Sequence, residues 1–456
     1  MNSVKIHILG AAGTVTGSKF LLETPTINIM IDAGMFQGLK ELRLLNWKDI
    51  PFNASKIDFI LLTHGHLDHT GYLPRLVKQG FSGVIMSTTP SLAITEIILR
   101  DSAKIHEEEA EKANKENYSK HHPAQPFYTI LEAEKTLQFF KSVEKDVWVE
   151  LSEGVRCRFR FNGHIIGATF IELEIFGKRF VFSGDIGRAN DPLLAPPEKP
   201  RWADYLFLES TYGNKLHPTE DVSEKLIELV KKTIHERGTL IIPSFAVERL
   251  QLLMYMLWKL YQENRIPNIP IFIDSPMGNN VLSVFEQFPE WHKLSLAEFH
   301  NMSQRMEIIT SYRETWKTID DPRPKIVIAG SGMITGGRVL TYLKQLIDEP
   351  STSILLVGYQ AEGTRGRQLQ EGAHEIKFFG KYFPVKAKVY HLQSLSAHAD
   401  QNEIFDWLDN IRNIPEQVFL IHGEPTSLDA LRVKLENTLG WKPKVPKLNE
   451  VIEIFI

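Results

Sequence analysis

Residues Thr63–His69 read Thr-His-Gly-His-Leu-Asp-His and follow an apolar run, Ile57-Asp-Phe-Ile-Leu-Leu62. A run of that length and composition predicts a buried strand. Three imidazoles and a carboxylate leaving one strand end cannot all enter a core, because each buried polar atom would need a partner. The chain must therefore fold so that this strand end opens into a site. Histidine nitrogens and carboxylate oxygens suit zinc or a similar divalent ion. His64-x-His66 sets two imidazoles side by side on extended backbone, while Asp68 and His69 point elsewhere, as a second ion needs. A polar loop with chance histidines is the competing reading, and ligand types further along the chain weigh against it.

At 456 residues the chain accommodates two domains, or one domain carrying a large insertion. Its apolar share of 43% and charged share of 24% are ordinary for a globular protein. No window approaches the roughly 18 apolar residues of a membrane span, so no membrane is expected as a partner. The start, Met-Asn-Ser-Val-Lys-Ile, enters a strand pattern at once, and no signal peptide is expected. The single cysteine, Cys157, excludes an internal disulfide and a thiolate zinc site and fits a reducing cytoplasm. A net charge of −4 argues against non-specific coating of nucleic acid. It leaves room for a nuclease whose positive potential is local and partly supplied by metals.

The first two hundred residues read as strand-rich. Val4–Leu9 and Lys19–Glu23 flank a glycine-punctuated turn and suggest a hairpin. Ile27–Ile31 leads to Asp32. A short helix is expected from Gly71 to Gly80 and a long amphipathic one from about Pro90 to Asn117, with Glu107–Glu109 on a solvated face. His121 and His122 read as surface residues. Strands are expected at Val147–Glu150, Val155–Phe161, Thr169–Phe176 and Arg179–Ser183. From about Leu206 apolar strands alternate with helices, which suggests a mainly parallel open sheet. The proline-rich stretch Pro192–Pro200 is the one plausible seam.

More ligand types stand at expected strand ends. Phe159–His164 closes on a histidine. Arg179–Asp185 closes on an aspartate, with Gly184 and Gly187 leaving room for close approach. Val418–His422 repeats the device, and Ser394–Asp400 sets His398 in a polar loop. A single histidine at a strand end is more often structural; several beside the compact cluster reverse those odds.

The order His64-x-His66-x-Asp68-His69, His164, Asp185, with Asp32 in an Ile-Asp-Ala-Gly setting, resembles the metallo-β-lactamase superfamily. Glu209 in Leu-Glu-Ser-Thr-Tyr-Gly, His398 in Ser-Ala-His-Ala-Asp and His422 in Ile-His-Gly-Glu resemble the three further motifs of the β-CASP nucleases. The resemblance spans nearly the whole chain, and a histidine at position 422 is what the RNA-processing members carry. It implies an α/β fold: an αββα sandwich from residues 1–207 and 389–456, with an open-sheet α/β lid at 208–388 and the active site in the cleft between them. The chain is expected to be the catalytic core alone.

The resemblance also implies two Zn2+, with Mn2+ open because these ligands accept either. One ion takes His64, His66 and His164, the other Asp68, His69 and His422, and Asp185 bridges. Metals roughly 3.5–4 Å apart activate water against a phosphodiester. Asp68 then counts among both ligands and catalytic groups. His398 is implied as the group that protonates the leaving oxygen, with Glu209 orienting it. Asp32 would fix the tautomer of a ligand histidine; a strand-end turn residue is the other reading. For substrate, Ser331 and Arg338 in Ile328–Arg338 suit a backbone anion site, or else a glycine turn without a ligand. Arg365 and Arg367 suit phosphates or structural ion pairs. Tyr212 suits base stacking or a core.

The function this implies is hydrolysis of single-stranded RNA, mainly endonucleolytic with 5′-exonuclease action open, in processing or decay in the cytoplasm. A sandwich hydrolase of small esters, thioesters or lactams is the alternative, and a non-catalytic scaffold subunit ranks last because every ligand is present. Whether the chain forms a homodimer stays open.

Overall fold

The computed structural model describes residues 3–117, 119, 121–392 and 394–456. The chain divides into two compact units, Met1–Leu216 with His398–Ile456, and His217–Ala397.

The first unit is built on two sheets. The seven-stranded one runs in the order Val451–Phe455, Ser3–Ile8, Phe20–Glu23, Asn28–Ile31, Phe59–Leu61, Val84–Thr88, Phe140–Val143. The six-stranded one runs Gln417–Ile421, Tyr205–Glu209, Lys178–Phe182, Thr169–Ile175, Val155–Phe161, Val149–Ser152. Val155–Phe161 buries alternate residues, so Val155, Cys157, Phe159 and Phe161 face inward while Arg156, Arg158 and Arg160 lie on the other face. Val4, Ile6, Phe20, Ile29 and Leu61 of one sheet meet Phe159, Ile171, Phe180, Phe182, Phe207 and Phe419 of the other in one buried cluster. The opposite face of each sheet packs on helices. Leu73 and Leu76 of Leu73–Lys78 and Leu99 of Thr89–Glu116 cover the first. Ile404 and Trp407 of Gln401–Leu408 and Leu431 of Pro425–Leu439 cover the second. The result is an αββα sandwich.

The proline-rich stretch is not the seam. It lies within the first unit, where Leu193 and Leu194 are buried and their N–H groups donate to Asp191 Oδ1. Proline content marks an irregular path here, not an exposed linker. The helix expected over Gly71–Gly80 is present as Leu73–Lys78, where Pro74 suits its first turn, and a separate one-turn helix, Leu67–Thr70, ends before it at Gly71.

The second unit holds a six-stranded sheet ordered Glu307–Ile308, Ile271–Asp274, Lys325–Ala329, Thr239–Pro243, Ser353–Val357, Lys388–Leu392, with every pairing parallel. Its central strands are buried throughout, which explains their unbroken apolar runs. Helices open on serine caps at Ser275, Ser295 and Ser311, the last two as full capping boxes. A separate antiparallel hairpin, Glu375–Phe378 with Lys381–Pro384, completes the unit.

Candidate metal centre

Four strand ends of the sandwich deliver the chemistry. Phe59–Leu61 leads to His64 and His66, Val155–Phe161 to His164, Lys178–Phe182 to Asp185 and Gln417–Ile421 to His422. A one-turn helix, Leu67–Thr70, carries Asp68 and His69. Gly184 has φ +53°, a conformation that a side chain disfavours, and a Cβ there would approach Thr63 Cβ to 2.8 Å. At Gly187 a Cβ would meet Gly163 at 2.0 Å, so only glycine lets these two strand ends approach so closely.

The donor atoms form two groups that share Asp185. In the first, His64 Nε2 lies 3.1 Å from His66 Nδ1, and His164 Nε2 lies 3.3 Å from His66 Nδ1. Asp185 Oδ2 stands 3.6 Å from His64 Nε2 and 3.5 Å from His164 Nε2. In the second group Asp185 Oδ1 stands 3.3 Å from His69 Nε2 and 3.5 Å from His422 Nδ1, while His422 Nε2 is 3.5 Å from Asp68 Oδ2. A tetrahedral ion with bonds of about 2.0–2.1 Å requires donors about 3.4 Å apart, close to the 3.1–3.6 Å spacings of the first group and to the 3.3 Å between Asp185 Oδ1 and His69 Nε2 in the second, where His422 can give one such ion only one of its two ring nitrogens.

Two further observations fit a cation. His69 Nε2, Asp185 Oδ1 and His422 Nε2 are buried without a hydrogen-bond partner, a cost that a bound ion removes. Burial pushes His66 down to about 4, and burial with neighbouring imidazoles holds His64 and His164 well below the usual histidine range. These three rings therefore present lone pairs. Burial opposes a charged His69, yet Asp185 and Asp32 hold it well above that range. Burial likewise opposes a charged Asp185, which His422 and His69 keep ionised. The carboxylates draw positive charge to this point. The donor set is that of a divalent-metal cofactor.

A second ring of residues orients the first. His69 Nδ1 donates to Asp32 Oδ2 at 2.7 Å. Thr63 donates to the same carboxylate through its N–H at 2.8 Å and its hydroxyl at 2.9 Å, and that hydroxyl oxygen lies 3.1 Å from His64 Nδ1. Asp32 thus faces His69 directly and His64 through Thr63, in the manner of carboxylates that set the tautomer of ligand histidines. Thr211 Oγ1 lies 3.2 Å from His422 Nδ1. Asn162 donates both amide hydrogens, to the carbonyls of Ser183 and Asp185, at 2.6 Å each. Asn162, Thr63 and Thr211 escape the sequence reading because their only signal is adjacency to a ligand or motif residue.

His398 forms an isolated bridge with Gly187, and its Nδ1 lies 3.3 Å from Glu209 Oε1. Glu209 is buried and accepts from the N–H groups of Ile186 at 2.7 Å and Thr211 at 3.1 Å. Burial disfavours a charged His398, but the Glu209 carboxylate holds it above the ordinary value. Tyr212 is 5% exposed, with its ring centroid 6.3 Å from that of His398, so it is a buried neighbour and not an open platform.

The other substrate candidates belong to the second unit. Ser331 Oγ accepts from Thr335 N at 3.0 Å and Gly336 N at 3.2 Å and so closes the glycine turn on itself. Arg338 donates to Thr315 Oγ1 at 2.6 Å, lies 3.6 Å from the buried Asp274 and stands 3.7 Å over the Tyr312 ring. Arg365 donates to the carbonyls of Lys377, Ile334 and Thr335. Arg367 pairs with Glu371. His121 and His122 are exposed.

A sandwich whose strand ends converge histidines and aspartates is the metallo-β-lactamase arrangement, and residues 13–232 match the metallo-beta-lactamase superfamily. Residues 250–369 match the Beta-Casp domain, and 382–446 a Zn-dependent metallo-hydrolase RNA specificity domain. Ribonuclease TTHA0252 of Thermus thermophilus is 33% identical over 458 residues, covering 99% of this chain and 100% of that protein. Transcription termination factor FttA of Methanocaldococcus jannaschii is 27% identical, covering 94% of this chain and 72% of that protein. A crystal structure of a protein of unknown function from Enterococcus faecalis V583 shares the fold, with a TM-score of 0.54 at 12% identity over 99% of this chain and 100% of that one. The chain belongs to the β-CASP family of the metallo-β-lactamase superfamily.

Proposed function

We propose that the chain is a metal-dependent ribonuclease that hydrolyses phosphodiester bonds of single-stranded RNA, mainly at internal sites, in RNA processing or decay. Two zinc ions are the proposed cofactor. His64, His66 and His164 would hold one, Asp68, His69 and His422 the other, and Asp185 both. The observation that carries this reading is Asp185, whose two oxygens face the two separate donor groups.

When bound, such ions lower the pKa of water towards about 7 and stabilise charge on phosphoryl oxygens. The protein's own groups supply the rest. Glu209 engages His398 at Nδ1 and favours its protonated form, and the His398 ring is the proposed donor of a proton to the departing ribose oxygen. The N–H groups of Ile186 and Thr211 keep Glu209 fixed while it does so. Asp32 and Thr63 keep His69 and His64 in the tautomers a metal needs. Ser331, Arg338 and Arg365 are proposed to line the path of the RNA in the inserted unit. No helix among the described residues is long and apolar enough to cross a membrane, and the proposed setting is the cytoplasm, with pairing of two copies as a further possibility to test.

Support also comes from the full-length similarity to a protein named a ribonuclease. A hydrolase of small esters or lactams has no specific observation in its favour. The test is incubation with RNA labelled separately at each end, with matched DNA as control. Internal fragments from both labels, on RNA and not DNA, are expected; ester turnover without RNA cleavage would overturn the reading.

A further inference from the structure

The hairpin Glu375–Phe378 with Lys381–Pro384 has two unlike faces. Lys377 stands opposite Tyr382 and Ile376 opposite Phe383. Ile376 and Phe378 are buried in the core of the inserted unit, and Phe383 stacks on Phe378 at 4.3 Å. On the other face Tyr382 is 62% exposed, with the Lys377 ammonium 5.3 Å from its ring centroid. The two-residue turn is Phe379-Gly380, with φ +49° and +77°. Such turns favour Asn-Gly or Gly-Gly. A phenylalanine there costs roughly 1–2 kcal/mol of backbone strain, and its ring is still 49% exposed. Burial therefore does not account for either aromatic.

Charge is concentrated at the same place. Residues 375–388 carry four lysines and one glutamate in a chain of net charge −4. Lys388 pairs with Glu236, while Lys377, Lys381 and Lys386 are exposed, with the Lys377 ammonium beside the Tyr382 ring. Flat aromatic faces interleaved with ammonium groups are what an unpaired polynucleotide needs, since bases stack on any ring and phosphates take the charge. The hairpin is also held in place. Arg365 Nε donates to Lys377 O at 2.7 Å and its Nη1 to the carbonyls of Ile334 and Thr335 at 3.2 Å each, tying the strand to the glycine turn.

We propose that this hairpin is an RNA-binding surface distinct from the metal centre, on which two bases of single-stranded RNA stack on Phe379 and Tyr382 while Lys377, Lys381 and Lys386 meet the phosphates. It rests on the reading of the chain as a ribonuclease.

The test measures binding of a 5′-fluorescein oligouridylate, about 20 nucleotides long, to the full chain under chelator, and then its cleavage with metal restored. Phe379→Asn/Tyr382→Ser keeps a favoured Asn-Gly turn, and an unchanged melting midpoint shows that it folds. Loss of stacking on two rings predicts at least ~10-fold weaker binding, with KM raised by a similar factor and kcat held. Lys377→Gln should flatten the dependence of log affinity on log salt by ~0.7. Equal affinity of the double variant and the wild type overturns the proposal, as does a change confined to self-association in sedimentation. A wild type that binds this RNA but never cuts it sinks the ribonuclease reading alone, whereas one that binds no RNA overturns both.

Discussion

Asp185 is the residue on which the centre depends, because its two carboxylate oxygens face the two donor groups. Asp185→Ala should lose metal and RNA cleavage together, measured by metal content after gel filtration and by end-labelled RNA; retention of a full metal complement would refute the bridging role. His398 differs, since its Nδ1 is engaged by Glu209. His398→Ala should keep its metal content and cut roughly 10²–10⁴-fold more slowly, the usual worth of a general acid. Metal loss in that variant would make His398 a ligand instead. At this scale the sequence is informative where chemistry is concentrated. His64, His66, Asp68 and His69 stand together, and four donor-type side chains in seven residues, two of them buried and two half-buried, have few structural explanations. The supporting residues were not legible. Asn162 is one polar side chain at a strand end, and nothing in the order of residues says that its amide spans Ser183 and Asp185.

The strand ends carry the precision of the site, and glycine is what lets them meet. Gly187 abuts Gly163 and bridges to His398. Gly187→Ala should therefore push the His164 and Asp185 loops apart, destabilising the protein by about 1–3 kcal/mol, as overpacking does, and weakening metal affinity measured by competition with a chromogenic chelator. An alanine variant with unaltered affinity would show that these loops adjust freely. The alternating pattern of Val155–Phe161 and the apolar runs at Thr239–Pro243 and Ser353–Val357 made their strands legible, because burial on one face or two leaves a direct mark on sequence. The proline-rich stretch misled, since Leu193 and Leu194 are buried beside its prolines. The hairpin at Glu375–Pro384 left a weak signal because Phe379 occupies a position where glycine or asparagine would announce a turn.

Across the whole molecule, every residue assigned to metal lies in the unit formed by Met1–Leu216 and His398–Ile456. Binding there stabilises the folded chain by mass action, by about 2.7 kcal/mol per site at a hundredfold excess over Kd. Chelation should lower the melting midpoint. It should also speed amide exchange at the ends of Phe59–Leu61, Lys178–Phe182 and Gln417–Ile421, while Lys325–Ala329 of the other unit stays protected. Equal loss of protection in both sheets would mean that the metals hold the entire chain together. Residues separated by more than 350 positions, His64 and His422, end in one centre because their strands belong to the two sheets of one sandwich. That long-range closure is invisible to local patterns, and only the resemblance to a known family made it an expectation.

The most direct measurement is an anomalous-difference map, recorded above the zinc edge from crystals of the zinc-loaded protein. Two peaks are expected, one among His64, His66 and His164 and one among Asp68, His69 and His422, with Asp185 touching both. One peak only, or density away from these side chains in protein that cleaves RNA, would contradict the account.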